Sequence, residues 1–199
     1  METVEEYFEW KNNKKEKSLE EKHIMKTREL KWDFTDTLYS FLGIYAIGLK
    51  AYYPNKFRCT KFQIKTETGT NVYCNKYIFN NYKEFEELNK LNELKEFIKN
   101  YLTIGNLIPI WPGGNMHRGM SQCFDLPEIY FNRHNKFTDS LVQVYKNAYM
   151  GNIIENREKI KFPDILEMDK EKYKKFLKYI VDTIKDRNNS IMCALENKN

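Results

Sequence analysis

The amino-acid sequence predicts an α+β fold, a mostly helical single domain with a small antiparallel sheet. The 199 residues include 41% hydrophobic and 15% aromatic side chains, which suffice for one sizeable core, and the chain is too short for two independent domains. Apolar residues recur at helical spacing in several segments, whereas one stretch alternates around a glycine turn as a hairpin does. We expect a single domain over residues 1–199, with a charged helical N-terminal extension at 1–31 and the core at 33–195.

The most apolar helix is predicted over residues 37–52, with Asp36 or Thr35 as its N-cap. It is apolar nearly all round, which is typical of a buried helix. Gly43 and Gly48 lie a little over one turn apart and leave room for another element to approach closely. Apolar stripes and cap residues predict further helices at residues 3–12, 18–31, 82–102, 137–149 and 169–195.

The predicted sheet begins with a hairpin over residues 57–79, whose second strand is expected at 71–79. A two-residue Thr-Gly turn sets the register, so that one face is apolar and the other is basic. In this register Lys61 lies directly opposite Lys76. A third short strand is predicted at residues 107–110, where a Trp-Pro-Gly-Gly sequence ends it.

The cysteines are few and scattered, and they lack the spacing of a metal site or of a redox pair. They are Cys59, Cys74, Cys123 and Cys193. The predicted hairpin register places Cys59 opposite Ile78 and Cys74 opposite Gln63, so no hairpin disulfide forms. We therefore expect free thiols in a reducing cytosol.

The net charge of the whole chain, +5, equals the net charge of one segment, residues 46–80, which holds six basic residues and one acidic residue. The basic hairpin face offers a contact for a polyanion, because phosphate groups relieve the repulsion between opposed lysines. A solvated face that discourages edge-to-edge aggregation is the alternative. The candidate nucleic-acid or anion contacts on this face are Arg58, Lys61, Lys65 and Lys76.

A glycine-rich loop at residues 111–119 is the second candidate site. Its three glycines permit the turns in which backbone N–H groups converge on an anion, and Arg118 and His117 add a charge and a titratable group. The spacing matches neither a P-loop nor a dinucleotide-binding fingerprint. The alternative is a structural connection in which Arg118 pairs with Asp125.

Catalytic motifs are sparse in this sequence. The three histidines lack metal-site spacing, there is no GxSxG nucleophile motif, and no metal or cofactor is predicted. His117 and His134 form an acid–base pair for RNA cleavage only where the fold brings them together. The catalytic candidates are His117, Arg118, Asp125 and Arg187.

Short motifs occur in order along the second half of the chain. They are Thr103-Ile104-Gly105, Arg118-Gly119, Phe124-Asp125-Leu126, and Arg187-Asn188 followed by Ile191. These motifs resemble an uncharacterised bacterial family of unknown function, with a TIG…N..RG…(R)FDL core and an RN..I run in its C-terminal helix. This chain departs from that pattern at Cys123, where the family has arginine. The resemblance implies a shared fold and no activity. It nominates an anion-plus-carboxylate site, or else a structural ion-pair cluster, formed by Asn115, Arg118, Asp125, Arg187 and Asn188.

We expect a non-catalytic interaction module that binds nucleic acid, or a protein that handles nucleic acid, through the basic hairpin face. Frequent Lys, Asn, Ile, Tyr and Phe codons indicate an AT-rich genome, so we expect a bacterium or phage and a part in phage–host conflict, such as phage defence or anti-CRISPR activity. One alternative is a phosphodiesterase or nuclease-like enzyme that uses His117, Arg118 and Asp125. Another is a sensor of nucleotides or small anions.

The expected location is the cytoplasm, without membrane contact. No apolar run approaches the roughly 20 residues of a membrane span, and the N-terminal residues lack the apolar region of a secretory signal. The apolar helix at residues 37–52 and the aromatic surplus also suit a homodimer interface, so both a monomer and a homodimer stay open.

Overall fold

The computed structural model describes residues 1–16, 33–60, 63–66, 76–110, 126–128, 146, 149–156, 164–165 and 167–197. This part of the chain is mostly helical, as predicted. Its α-helices are α1 (Val4–Glu16), α2 (Phe41–Tyr52), α3 (Lys76–Asn81), α4 (Glu86–Asn89), α5 (Asn92–Asn100), α6 (Gly151–Asn156) and α7 (Lys170–Glu196). Its strands are β1 (Asp33–Thr37), β2 (Phe57–Thr60), β3 (Gln63–Thr66) and β4 (Leu107–Ile110), and two 3-10 turns cover Tyr82–Glu84 and Ile104–Asn106. The helix predicted at 18–31, and most of the one predicted at 137–149, lie outside the described residues.

Helix α2 lies at the centre of the core. Ten of its twelve residues are buried, so the prediction of a helix that is apolar nearly all round is confirmed. Helix α7 packs across it, and the Tyr173 hydroxyl donates a hydrogen bond to the Ile44 carbonyl at 3.0 Å. Gly48 permits this approach, because a Cβ at that position would lie 2.6 Å from the Tyr173 Oη. The close approach predicted at Gly48 is therefore confirmed.

The first turns of α1 belong to the core. Val4, Tyr7 and Phe8 are buried, and the Tyr7 ring stacks on the Phe41 ring of α2 with 3.8 Å between centroids. The prediction of a charged extension over residues 1–31 is therefore wrong for this part. Its apolar and aromatic side chains cover one side of α2, where their burial stabilises the fold.

Strand β1 replaces the predicted beginning of α2. Asp36 pairs with Ile108 of β4 in an antiparallel ladder, so it does not cap the helix as predicted. Helix α2 begins at Phe41 instead, after Ser40 in an extended conformation. The strand predicted at residues 107–110 is observed with those bounds, but its partner is β1 and not the hairpin.

The hairpin closes earlier than predicted. Strands β2 and β3 pair Phe57 with Thr66 and Thr60 with Gln63, whereas Lys76 begins helix α3. The expected pairings of Lys61 with Lys76 and of Cys59 with Ile78 are therefore wrong. Residues 71–79 alternate well enough to predict a strand, but from Lys76 onward they form a helix that buries Ile78 and partly buries Tyr77 and Phe79. Among the described residues the two ladders share no strand, so the single sheet that the sequence predicts is not observed there.

The long helix predicted at residues 82–102 is broken into shorter pieces. Leu91 has an extended conformation with ψ of 122° and separates α4 from α5. The buried Asn89 side chain explains the break, because its amide donates to the Tyr82 carbonyl at 2.8 Å and its oxygen accepts from the Tyr45 hydroxyl at 2.7 Å. Side-chain hydrogen bonds of this kind compete with helix continuation.

Helix α7 follows the prediction closely. Asp169 caps its N-terminus, with the carboxylate accepting from the Lys172 N–H at 2.8 Å. The side chains predicted to point inward are buried, and they are Tyr173, Phe176, Leu177, Ile180 and Ile184. This helix is the element that positions the site described next.

Candidate functional site

Some of the site residues predicted from the sequence lie within the described residues, and others do not. Five lie outside the described residues, so their proposed roles remain predictions, and they are Lys61, Asn115, His117, Arg118 and Asp125. Arg58 lies in β2 and is exposed, whereas Arg187 lies in α7 and is buried. Lys65 and Lys76 are placed by their backbone alone, in β3 and at the first position of α3.

Arg187 holds the chain segment between α5 and β4. Its Nη1 donates to the carbonyls of Ile104, Gly105 and Leu107 at 3.1, 2.7 and 2.5 Å. Burial lowers the pKa of the guanidinium to about 10, which leaves it charged near neutral pH. Hydrogen bonds from a charged donor are stronger than neutral ones, so these contacts indicate that Arg187 stabilises the packing of this segment on α7.

Gly105 allows that segment to lie directly on α7. A Cβ at this position would be 2.1 Å from the Ile184 carbonyl oxygen and 2.9 Å from the Asn188 backbone nitrogen. The Thr103-Ile104-Gly105 and Arg187-Asn188 motifs, more than eighty residues apart in sequence, therefore meet at one contact. Their meeting is accounted for by packing and backbone hydrogen bonding.

Asn106 extends the same contact toward the beginning of α2. This fully buried side chain accepts from the Tyr39 N–H at 2.9 Å and donates to the Tyr101 carbonyl at 2.9 Å. Its own carbonyl accepts from the Leu38 N–H at 2.6 Å. The bend between β1 and α2 is therefore fixed in place, and the Tyr39 ring with it.

The hydroxyl of Tyr39 is hydrogen-bonded to a buried carboxyl group, that of Glu128. The Tyr39 hydroxyl donates to Oε1 of Glu128, and the Tyr179 hydroxyl of α7 donates to the same oxygen at 2.8 Å. Glu128 is fully buried, and its Oε2 has no hydrogen-bond partner among the described residues. Burial raises the pKa of the carboxyl group, against the opposing effects of the two phenol hydrogen bonds and of a backbone hydrogen bond at Glu128 itself.

The side chains that make these contacts form one connected group, which we call the polar junction. Its members are Tyr39, Asn106, Glu128, Tyr179 and Arg187. Burial and the neighbouring Glu128 raise the pKa of both tyrosines, so their hydroxyls remain donors across the physiological range. The junction joins α7 to three other parts of the chain.

An open groove of about 420 Å³ lies beside the junction. Tyr179, half-buried on its wall, connects the groove to Glu128. The other lining residues are polar or charged, and they are Asn152, Lys175, Lys178, Asp182, Thr183 and Asp186. Along α7 the two basic residues precede the two acidic ones, so the groove has no single sign of charge.

The β2–β3 hairpin carries the second candidate surface. Its register places Arg58 directly opposite Lys65, two basic residues at paired positions of an antiparallel ladder. Phe57, the preceding residue, is buried, and its ring contacts the Phe85 ring at 5.6 Å between centroids. The strand therefore presents Arg58 to solvent while Phe57 holds it to the core.

Lys56, next to this hairpin, contacts a carboxylate and an aromatic ring. Its Nζ lies 3.2 Å from a carboxylate oxygen of Glu84 and 5.4 Å from the centroid of the Phe85 ring. The positive charge of Lys56 is therefore partly compensated. Arg58 and Lys65 remain the basic pair of the hairpin, and we call them the hairpin pair.

No family model matches the chain, and neither curated proteins nor solved structures give a significant match. Within the described ranges, no group of three or more His, Cys, Asp or Glu side chains is arranged to hold a metal ion. In the same ranges, no helix combines the length and the apolar character needed to cross a membrane.

Sequence reasoning missed most of the polar junction. Asn106 directly follows the Thr103-Ile104-Gly105 motif, and Tyr179 falls between two inward residues of α7, so both carried a weak signal. Tyr39 and Glu128 carried none, because their burial depends on contacts between distant segments. Glu128 follows Leu-Pro and precedes Ile-Tyr-Phe, and no spacing in this mostly apolar stretch indicates that its carboxyl group is buried.

Proposed function

We propose that the protein is a non-catalytic nucleic-acid-binding module and that the β2–β3 hairpin is its contact surface. The observation that carries this proposal is the hairpin pair, in which Arg58 lies opposite Lys65. The ladder residues include no carboxylate, since they are Phe57, Arg58, Cys59 and Thr60 on β2 and Gln63, Ile64, Lys65 and Thr66 on β3. Positive charge is therefore concentrated at this position of the ladder.

Directly opposed like charges destabilise a strand pair by about 0.2–1 kcal/mol relative to neutral pairs. A phosphate backbone removes that cost and adds an electrostatic attraction, because counterions are released when cationic groups contact it. The segment of residues 46–80, which contains the hairpin, carries the net charge of the whole chain. The local excess of charge, rather than the modest total, supports this surface.

The anchoring of β2 also supports the proposal. The Phe57 ring contacts Phe85 at 5.6 Å and Tyr77 at 6.1 Å between centroids, which holds the strand against the core. A strand held against the core loses less conformational entropy on binding than a mobile segment. Arg58 also has a planar guanidinium that suits two phosphate oxygens at once.

The buried position of Arg187 does not favour the enzyme alternative. Its Nη1 already donates to three backbone carbonyls, so these contacts supply no free group for a transferring phosphate. An origin in a bacterium or phage, with a part in phage–host conflict, is proposed from amino-acid composition. This proposed origin does not indicate which surface of the protein binds its partner.

The test is binding of the purified protein to fluorescent single- and double-stranded RNA and DNA across a salt series, with strand length monitored. Arg58→Glu and Lys65→Glu should each weaken binding strongly. Neutral replacement of one phosphate contact should reduce the slope of log K against log salt concentration by about 0.7–0.9. Lys172→Glu, an equal charge change at an exposed position of α7, is the matched control and should change binding little.

Three other results would change the conclusion. Equal losses of affinity in all three charge variants would show that net charge, and not the hairpin, determines binding. Shortened strands would support the nuclease-like alternative. Absence of binding at low salt would overturn the nucleic-acid proposal and direct the search to a protein partner.

A further inference from the structure

The two oxygens of the Glu128 carboxyl group have very different surroundings. Oε1 accepts hydrogen bonds from the Tyr39 and Tyr179 hydroxyls, whereas Oε2 is buried and has no partner among the described residues. From this geometry we infer that Glu128 is a neutral carboxylic acid in the native protein, and that its ionisation loosens the polar junction and makes the attachment of α7 pH-dependent.

The neutral form fits this asymmetry better than the ion. In a carboxylic acid, the carbonyl oxygen accepts two hydrogen bonds and the other oxygen carries the proton. In a carboxylate, half of the negative charge lies on Oε2, which is buried and has no hydrogen-bond partner among the described residues. Burying a charge without partners costs far more than burying a neutral group, so ionisation strains the junction.

The groups around Glu128 offer little to offset an ionised carboxylate. Tyr39 faces it from the bend between β1 and α2, and Tyr179 faces it from α7. Burial raises the pKa of both phenols, so neither is a charged partner. No described lysine, arginine or histidine forms an ion pair with it. On the α7 side, charged groups line the groove together with Tyr179, and they are Lys175, Lys178, Asp182 and Asp186.

The groove gives the buried carboxyl group a route for proton exchange. Tyr179 lies on the groove wall and its hydroxyl donates to Glu128, and Thr183 lines the same groove. The Tyr179 hydroxyl therefore links the buried carboxyl group to the open groove. Global unfolding is not needed for the carboxyl group to respond to pH.

The direction of the pH effect follows from the raised pKa of the carboxyl group in the folded state. The stabilisation from the neutral group is fully present below the pKa of an unfolded glutamic acid, about 4.3. It is lost as the pH rises from there through the folded-state pKa. Stability at the junction should therefore fall toward alkaline pH, which is opposite to the behaviour of an ion-paired carboxylate.

The experiment compares unfolding of the wild type and Glu128→Gln by urea at a series of pH values above about 4.3. The amide has the shape of the neutral acid and does not ionise. The unfolding equilibrium constant of the wild type should rise relative to that of the variant by up to about tenfold per pH unit within the window. Glu155→Gln, at an exposed position of α6, should run parallel to the wild type.

Infrared spectroscopy provides a readout that a purely structural role would not produce. The wild type should show the carbonyl band of a protonated carboxyl group at neutral pH, and Glu128→Gln should lack it. Should Glu128→Gln fail to fold, Tyr179→Phe is the second variant. It removes a hydrogen bond that favours ionisation, so the band should persist to higher pH. Parallel stability curves, or no protonated band in the wild type at neutral pH, would overturn the inference.

Discussion

The contact between Gly105 and α7 leads to the sharpest prediction about stability. Replacing Gly105 by alanine adds one methyl group, whose carbon would lie 2.1 Å from the Ile184 carbonyl oxygen and 2.9 Å from both the Cβ and the backbone nitrogen of Asn188. Two of these three obstacles are main-chain atoms of a long helix, and they do not move aside as a side chain does. The segment after α5 must shift away from α7.

That shift has a cost that the structure allows us to estimate. Overpacking a tight contact typically costs about 1–3 kcal/mol, and a backbone obstacle places Gly105→Ala at the upper end, about 3 kcal/mol. The displacement also lengthens the hydrogen bonds that Arg187 donates to the carbonyls of Ile104, Gly105 and Leu107. We therefore expect a lower free energy of unfolding with the helical content of the native state retained.

Urea denaturation followed by circular dichroism measures this change. Gly151→Ala is the matched control, because a Cβ at Gly151 meets nothing within 4 Å. Alanine in a helix also restricts the unfolded chain, so the control should be neutral or more stable by up to about 1 kcal/mol. The packing argument fails when Gly105→Ala unfolds within about 0.5 kcal/mol of the wild type.

The other predictions concern single side chains. Arg187→Ala should lower the free energy of unfolding by about 3 kcal/mol, because three carbonyls lose a charged donor; urea denaturation measures it, and a loss below about 0.5 kcal/mol would contradict the structural role. Asp169→Ala should cost about 1 kcal/mol in thermal unfolding through loss of the α7 cap, whereas Asp169→Asn should keep most of that energy. Lys65→Glu should weaken nucleic-acid binding and yet raise stability by about 0.2–1 kcal/mol, because it replaces a like-charge pair; lower stability would argue against an unfavourable pair. Glu128→Gln should remove the loss of stability that we expect in the wild type as the pH rises above about 4.3, and denaturation at a series of pH values measures it.

Local sequence patterns predicted the parts of the fold that depend on local periodicity. The stripe of α7 and its Asp169 cap specify that helix without help from other segments. The nearly continuous apolar character of α2 likewise predicted its burial, although the helix begins at Phe41 and residue 37, its predicted start, ends strand β1. Strand β4 was predicted with its observed bounds, because its apolar residues end at a Pro-Gly-rich sequence.

The errors arose where tertiary contacts outweigh local preference. Tyr77 and Phe79 alternate as in a strand, but the helix containing them brings both rings against the core and buries Ile78 between them. The break after Asn89 likewise depends on the distant Tyr45 hydroxyl, which no local pattern reveals.

The candidate site was predictable only in part. Arg58 and Lys65 were identified as basic hairpin residues, but their direct pairing depended on a register that the Thr-Gly turn misplaced by several residues. Arg187 was singled out from its motif without any indication of its three carbonyl partners. The burial of Glu128 could not be predicted from the sequence, because a carboxyl group is expected to be exposed to water unless distant residues bury it.

The contacts of Arg187 also determine when the core becomes complete during synthesis. Arg187 follows Leu107 by 80 residues. At translation rates of about 5–20 residues per second, Arg187 is synthesised roughly 4–16 s after Leu107. The Leu107 carbonyl lacks the hydrogen bond from Arg187 during that interval. Asn106 and Tyr39 are already available to hold that segment in the interval. The last long helix thus acts as the closing step of assembly, and a nascent chain that stalls before it presents the apolar side of α2 to chaperones.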